Sequence, residues 1–192
     1  MGKQKQHNIA FIDGQNLYRG LWWNIDYRRF RVYLRDKYAI QEAYYFVWFE
    51  SEVELYANLQ KAGFIVIFNP HKESQLSTKK WNVDVNLAFH MMRTFIEEKF
   101  DFIMLVSGDG DYKPVVEYLI EKGRFLRILA PNMQYCSSLY KKWSNFPRKY
   151  ISTLSDLRSL LKHKKDPHTS PKQKRGPRGT DTFEDTPSTL DT

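Results

Sequence analysis

Ser107-Gly108-Asp109-Gly110-Asp111 sets two carboxylates two residues apart, directly after the apolar run Phe100 to Val106. Acids crowded at the end of a strand repel one another, and the repulsion is relieved by protonation or by a divalent cation. Oxygen donors suit hard cations such as Mg²⁺ or Mn²⁺, which keep several waters and leave room for a phosphate oxygen and an attacking water. Asp13 follows a second apolar run, Asn8 to Ile12, and Asp84 opens a helical pattern. Each acid also has a plainer explanation. Asp13-Gly14-Gln15-Asn16 reads as a turn, Asp84 favours a helix N-terminus through the macrodipole, and Asp109 or Asp111 caps the next helix. Four such residues at matching ends of predicted elements weigh against separate coincidences. Other chemistries fit less well. Ser107 lacks the Gly-x-Ser-x-Gly elbow of a serine hydrolase, and Gln15 stands where an aspartyl nucleophile would want its second acid.

The elements that must position these residues are legible as an alternation. Strand-like runs cover Asn8 to Ile12, Gln41 to Phe49, Phe64 to Phe68, Phe100 to Val106 and Arg124 to Ala130. Helical patterns lie between them: about 26–37, 51–62, 83–99, where Leu87, His90, Met91 and Thr94 share a face, and 112–122, with Pro114 in the first turn and Gly123 as the stop. A short helix follows over 135–143, then an edge strand or extended segment over 149–154, then helical turns over 155–162. Such alternation predicts an α/β fold: one domain with a doubly wound parallel sheet of about five strands and helices on both faces. In that topology the first and fourth strands meet at the point where strand order reverses, and ligands bind at their carboxyl ends. Asp13, Asp109 and Asp111 fall there, and Asp84 joins them if its helix starts at the same edge.

Composition bounds the partners. The chain has 192 residues, with 30 Lys plus Arg against 22 Asp plus Glu and a formal charge of +8. A basic chain with an acidic pocket fits a polyanion held beside a bound cation, although charge alone fits any soluble basic protein. One cysteine, Cys136, excludes an intramolecular disulfide and a Cys-rich zinc site, and favours a reducing, cytoplasmic setting. The start MGKQKQHNIAFIDG carries no apolar core of a signal peptide, and no run approaches the roughly 18 apolar residues of a membrane span. From His163 onward Pro, Thr and charge dominate, basic first and then acidic. The expected division is a folded domain over 1–162 and a disordered charged tail over 163–192.

Phe11-Ile12-Asp13-Gly14-Gln15-Asn16-Leu17, Lys80-Trp81-Asn82-Val83-Asp84-Val85-Asn86-Leu87 and Leu105-Val106-Ser107-Gly108-Asp109-Gly110-Asp111-Tyr112 resemble, in order, the three signature stretches of NYN domains, in particular the LabA-like branch. NYN domains belong to the PIN-like, flap-nuclease-like group of metal-dependent ribonucleases. The resemblance implies that Asp13, Asp84, Asp109 and Asp111 are catalytic metal-binding acids for Mg²⁺ or Mn²⁺, with Asn16 and Ser107 as supporting polar groups. It implies RNA as partner, single-stranded by expectation, and no membrane. The alternative is an RNA-binding or regulatory protein that keeps the fold without cleavage.

Two departures from the pattern stand out. Trp81 replaces a usual Gly; it either stacks on a base or anchors the loop. His90 stands where an acid is often found, and is either a core histidine or a substituted ligand. Lys79 and Lys80 are candidates for phosphate contacts or are solvated lysines. Arg28 belongs to an aromatic and basic stretch, Trp22 to Arg29, that could hold single-stranded RNA; alternatively Trp22 or Trp23 is core.

Overall fold

The structure is a computed structural model that describes residues 6–48, 53–69, 83–97, 100–142 and 150–162. Lys79, Lys80, Trp81 and the 163–192 tail lie outside these residues. In chain order the elements are β1 (Asn8–Asp13), α1 (Gly14–Gly20), α2 (Tyr27–Tyr38), β2 (Ile40–Trp48), α3 (Val53–Ala62), β3 (Ile65–Asn69), α4 (Val83–Glu97), β4 (Ile103–Val106), α5 (Lys113–Glu121), β5 (Phe125–Ala130), α6 (Ser138–Lys141), β6 (Ile151–Thr153) and α7 (Arg158–Leu161). A 3₁₀ turn, Gly110–Tyr112, leads into α5.

The sheet has six strands in the order β3-β2-β1-β4-β5-β6, all parallel. Each βα unit returns to the same sheet edge, so the first three strands extend one way and the last three the other. Hence β1 and β4 are central neighbours, with Ile12 opposite Val106. That register sets Asp13 level with Ser107. The sixth strand exceeds the expected five because residues 151–153, an edge strand or extended segment by sequence, pair with β5.

Side chains of β1 alternate between two cores, as the strand period requires. Ala10 and Ile12 face Leu17, Phe30, Leu34, Leu59 and Leu161; Ile9 and Phe11 face Leu87, Met91, Val116 and Leu119. Thus α1, α2, α3 and α7 cover one face, and α4, α5 and α6 the other. Burying an aliphatic side chain of this size contributes about 1.5–3 kcal/mol, and both faces of the central strands do so.

Local signals account for the helix ends. Asp26 caps α2 by accepting from the Arg29 amide at 3.0 Å, and Ala39, at φ 53°, ends the helix in the left-handed region. Phe30, Tyr33, Leu34 and Tyr38 form its buried stripe. The one helix that the sequence concealed is α1. Asp13-Gly14-Gln15-Asn16, read as a turn, is instead a strand end followed at once by a helix N-terminus. With only seven residues and glycine at each end, α1 presents too short a pattern for its period to emerge.

Candidate metal centre

The site is assembled where β1 and β4 end. Asp13 is the last residue of β1 and the N-cap of α1: its Oδ1 accepts from the Asn16 amide at 2.9 Å. Its Oδ2 accepts from Ser107 Oγ at 3.2 Å and from the Tyr112 hydroxyl at 3.3 Å. With both oxygens engaged, Asp13 is 3 % exposed.

The acidic turn after β4 is tied down in several places. Asn16 Oδ1 accepts from the Gly108 amide at 2.9 Å, which fastens α1 to the turn. The Asp109 amide donates to Ser107 Oγ, and the Asp111 amide to Asp109 Oδ1, at 3.1 and 3.0 Å. From the far side the Tyr140 hydroxyl donates to the Asp109 carbonyl at 2.7 Å. Gly108 permits a close approach of the chain beyond β5: a Cβ there would stand 1.8 Å from the Tyr135 carbonyl oxygen.

Asp84, in the first turn of α4, reaches the same place. Tyr112 donates to its Oδ1 at 2.8 Å. Oxygens of Asp84, Asp109 and Asp111 then lie within 4.8 Å of one another. Oxygens on opposite sides of an octahedral Mg²⁺ stand about 4.2 Å apart, so small side-chain rotations suffice for one cation to meet all three. The donor set is all oxygen and all anionic, which fits a hard divalent ion. None of the ion pairs among the described residues involves these carboxylates.

Electrostatics follow from that crowding. Burial, and secondarily the charge of Asp84, pushes the Asp13 carboxyl above its ordinary pKa against the opposing pull of the Asn16 amide. Burial likewise raises Asp84, with Asp109 and Asp111 adding repulsion. Tyr112 is driven far above the usual phenol range by burial and by the charges of Asp13 and Asp84, so it stays a donor.

The chain resembles known proteins across most of its length. Its sequence matches the NYN domain over residues 8–143. The chain belongs to the NYN domain family. This NYN domain is 24 % identical over 171 residues to Low amplitude and bright protein LabA of Synechococcus elongatus, an alignment covering 82 % of this chain and 88 % of that one. Its fold is similar to the crystal structure of a protein of unknown function from Vibrio parahaemolyticus, with a TM-score of 0.66 and 20 % identity over 84 % of this chain and 99 % of that one. NYN domains fall within the PIN-like nuclease superfamily, which agrees with the acidic cluster at the sheet's carboxyl edge.

The sequence-predicted residues are therefore placed unequally. Asp84, Asp109 and Asp111 converge; Asp13 lies behind them, separated from Asp84 by the Tyr112 hydroxyl. Asn16 and Ser107 brace the turn. Arg28 lies elsewhere, lining a shallow depression of about 300 Å³ with Arg31, Val32, Arg35, Ala62 and Gly63, at the corner that feeds the amino end of β3. His90 sits edge-on to the Phe46 and Phe89 rings, 5.4 and 6.1 Å away, and is not among the converging ligands. Trp23 is core at 5 % exposure, whereas Trp22 is exposed and stacks on the Arg158 guanidinium.

Two site residues escaped sequence reasoning. Tyr112 directly follows the acidic motif, which is a usable signal. Tyr140 has none, because only tertiary contact brings α6 against the turn.

Proposed function

We propose that this NYN domain is a metal-dependent ribonuclease that hydrolyses RNA phosphodiester bonds at the carboxyl ends of β1 and β4. The observation that carries the reading is the convergence of three carboxylates with no cation paired to them among the described residues. Asp84, Asp109 and Asp111 would hold Mg²⁺ or Mn²⁺. Such an ion, when bound, offsets the charge of an approaching phosphate and lowers the pKa of water to supply a nucleophile.

The chain's own residues do the positioning. Tyr112 orients Asp84 through its hydroxyl, and the Asp111 amide holds the Asp109 carboxylate through its Oδ1. Asp13 adds negative charge from behind, and Ser107 and Asn16 keep it level with the acidic turn. Lys79, Lys80 and Trp81, just upstream of α4, are assigned to phosphate and base contacts with single-stranded RNA. Arg28 is assigned to a flanking phosphate of a longer strand. The single cysteine, buried, fits a reducing cytoplasm.

Incubation of the full chain with a mixed RNA pool, with Mn²⁺ and then with chelator, tests the reading. Cleavage is expected only with metal, and Asp109→Asn should abolish it while RNA affinity stays equal or rises. Asparagine keeps the oxygen that accepts from the Asp111 amide, so the turn survives and only the charge is lost. Tight RNA binding without cleavage by either protein would replace the nuclease with a binding protein.

A further inference from the structure

Helix α4 is apolar on two opposite faces. Leu87, Met91 and Thr94 are buried on the inner one, against the sheet. Val85, Phe89, Met92 and Ile96 follow at steps of four, three and four, which at about 100° per residue gathers them within about 60° on the outer side. Val85, Phe89 and Ile96 are 64, 60 and 75 % exposed, and Met92 is half-buried. The patch widens onto α5, where Phe95 meets the exposed Tyr118 ring edge-on at 5.5 Å. A surface helix ordinarily turns one apolar stripe inward and polar residues outward; apolar residues on both faces call for a cover on both. Asp84 stands about 100° round the helix from Val85, so the stripe is a separate surface from the carboxylate cluster.

The stripe's own pattern names its cover. Steps of four and three are those of a helix–helix seam, and a two-fold axis brings one such stripe onto an identical one. The two longest stretches outside the described residues do not match it. Residues 70–82 hold only Leu76 and Trp81 as large apolar side chains, and 163–192 only Phe183 and Leu190, against four on the stripe. Area agrees with a second copy. Three side chains this exposed leave roughly 300 Å² of apolar surface in water per copy, as large as the biggest patch on many monomers. Two copies bury roughly 600 Å², and at the usual apolar share of about 57 % the whole contact is roughly 1,000 Å², the lower bound of a specific interface.

We propose that this stripe is the seam of a homodimer in which the α4 helices of two copies pack antiparallel across a two-fold axis, Phe89 against Met92 and Val85 against Ile96. Every stripe residue then meets an apolar side chain, and each pairing occurs twice. The antiparallel sense also sets opposite ends of the helix dipoles side by side. The inference stands apart from the ribonuclease reading, and its test needs neither RNA nor metal.

The test is sedimentation velocity of the full chain from about 1 to 100 µM, the range in which an interface of this size is expected to assemble. A concentration-dependent dimer is expected. Phe89→Glu should raise its dissociation constant about tenfold or more, as should Val85→Lys and Ile96→Glu separately. All three positions are exposed, so melting temperatures at about 1 µM should equal that of the parent, which separates loss of the seam from loss of the fold. Mixing the Val85→Lys and Ile96→Glu proteins should restore the dimer, since the new ammonium faces the new carboxylate while the other pair stays Val85 on Ile96. A parent that is monomeric throughout would overturn the proposal and leave the stripe to another segment or another protein. A dimer that survives all three substitutions would place the interface elsewhere. Loss in each variant without restoration on mixing would overturn the antiparallel pairing.

Discussion

Tyr112 carries one hydroxyl proton between two carboxylates, 2.8 Å from Asp84 and 3.3 Å from Asp13. Hydrogen bonds to charged groups contribute about 1.5–3 kcal/mol each, and a buried acceptor that loses its donor also keeps its desolvation cost. Tyr112→Phe should therefore lower metal-free stability by about 1.5–3 kcal/mol in urea unfolding at neutral pH. The acids themselves act in the opposite sense. Asp13 and Asp84 titrate above their unfolded values, so between those two pKa values the native state binds more protons than the unfolded one. Stability contributed by these groups is then greatest in acid and falls as pH rises through the raised native pKa. Without metal, Asp84→Asn should gain on wild type as pH is raised from about 4 to 7, near and above the unfolded aspartate pKa. Equal unfolding midpoints across that range would show that the cluster is not electrostatically strained. Added Mn²⁺ should shift the wild-type midpoint upward and leave Asp84→Asn nearly unmoved.

Among the elements, the acidic turn is the most constrained because it is fastened on three sides: to α1 through Asn16, to α6 through Tyr140, and to the Tyr135 backbone at Gly108. The last contact leaves no space for a side chain. Backbone rather than a flexible side chain opposes Gly108, so the added methyl must displace the turn or the segment beyond β5. Gly108→Ala should cost about 3 kcal/mol, the upper end of overpacking penalties, and loosen metal binding together with stability. Calorimetry with Mn²⁺ alongside thermal unfolding checks both. A variant as stable as wild type would mean that Tyr135 is not seated on the turn. Gly123 offers the contrast: at φ 65° with nothing within 4 Å, it is required by backbone conformation and not by space.

At the scale of the molecule, the fold closes on its own C-terminal turns. Leu161 is fully buried in the α2 face, its carbonyl accepts from the Asp26 amide at 2.8 Å, and Lys162 bridges to Ile25. Residues up to 162 therefore contribute to the core, whereas the Pro- and Thr-rich remainder has little apolar surface to bury. Truncation after Lys162 should leave thermal unfolding unchanged. Leu161→Ala should cost about 2–5 kcal/mol, as for other buried leucines. A large loss on removing 163–192 would show that the tail packs on the domain. Among the described residues no helix is long and apolar enough to cross a membrane.

The sequence by itself determined the alternation of strands and helices, because a parallel sheet covered on both faces demands continuous apolar runs such as Ile103 to Val106 between amphipathic helices such as α4. It also determined where acids fall relative to those elements, since Asp13, Asp84, Asp109 and Asp111 each adjoin a period change that local pattern reveals. Local pattern does not reveal depth or direction. Asp13 and Asp109 look alike as residues following strands, yet one is sealed beneath Ser107 and Tyr112 while the other points to the cluster. Arg28 reads from sequence only as part of a basic and aromatic stretch; that it lines the corner before β3 with Arg31, Arg35 and Gly63 is set by the packing of α2. The roles of Tyr112, Tyr135 and Tyr140 were decided only by tertiary packing, because their partners lie on segments remote in the chain and such contacts leave no periodic trace in the sequence.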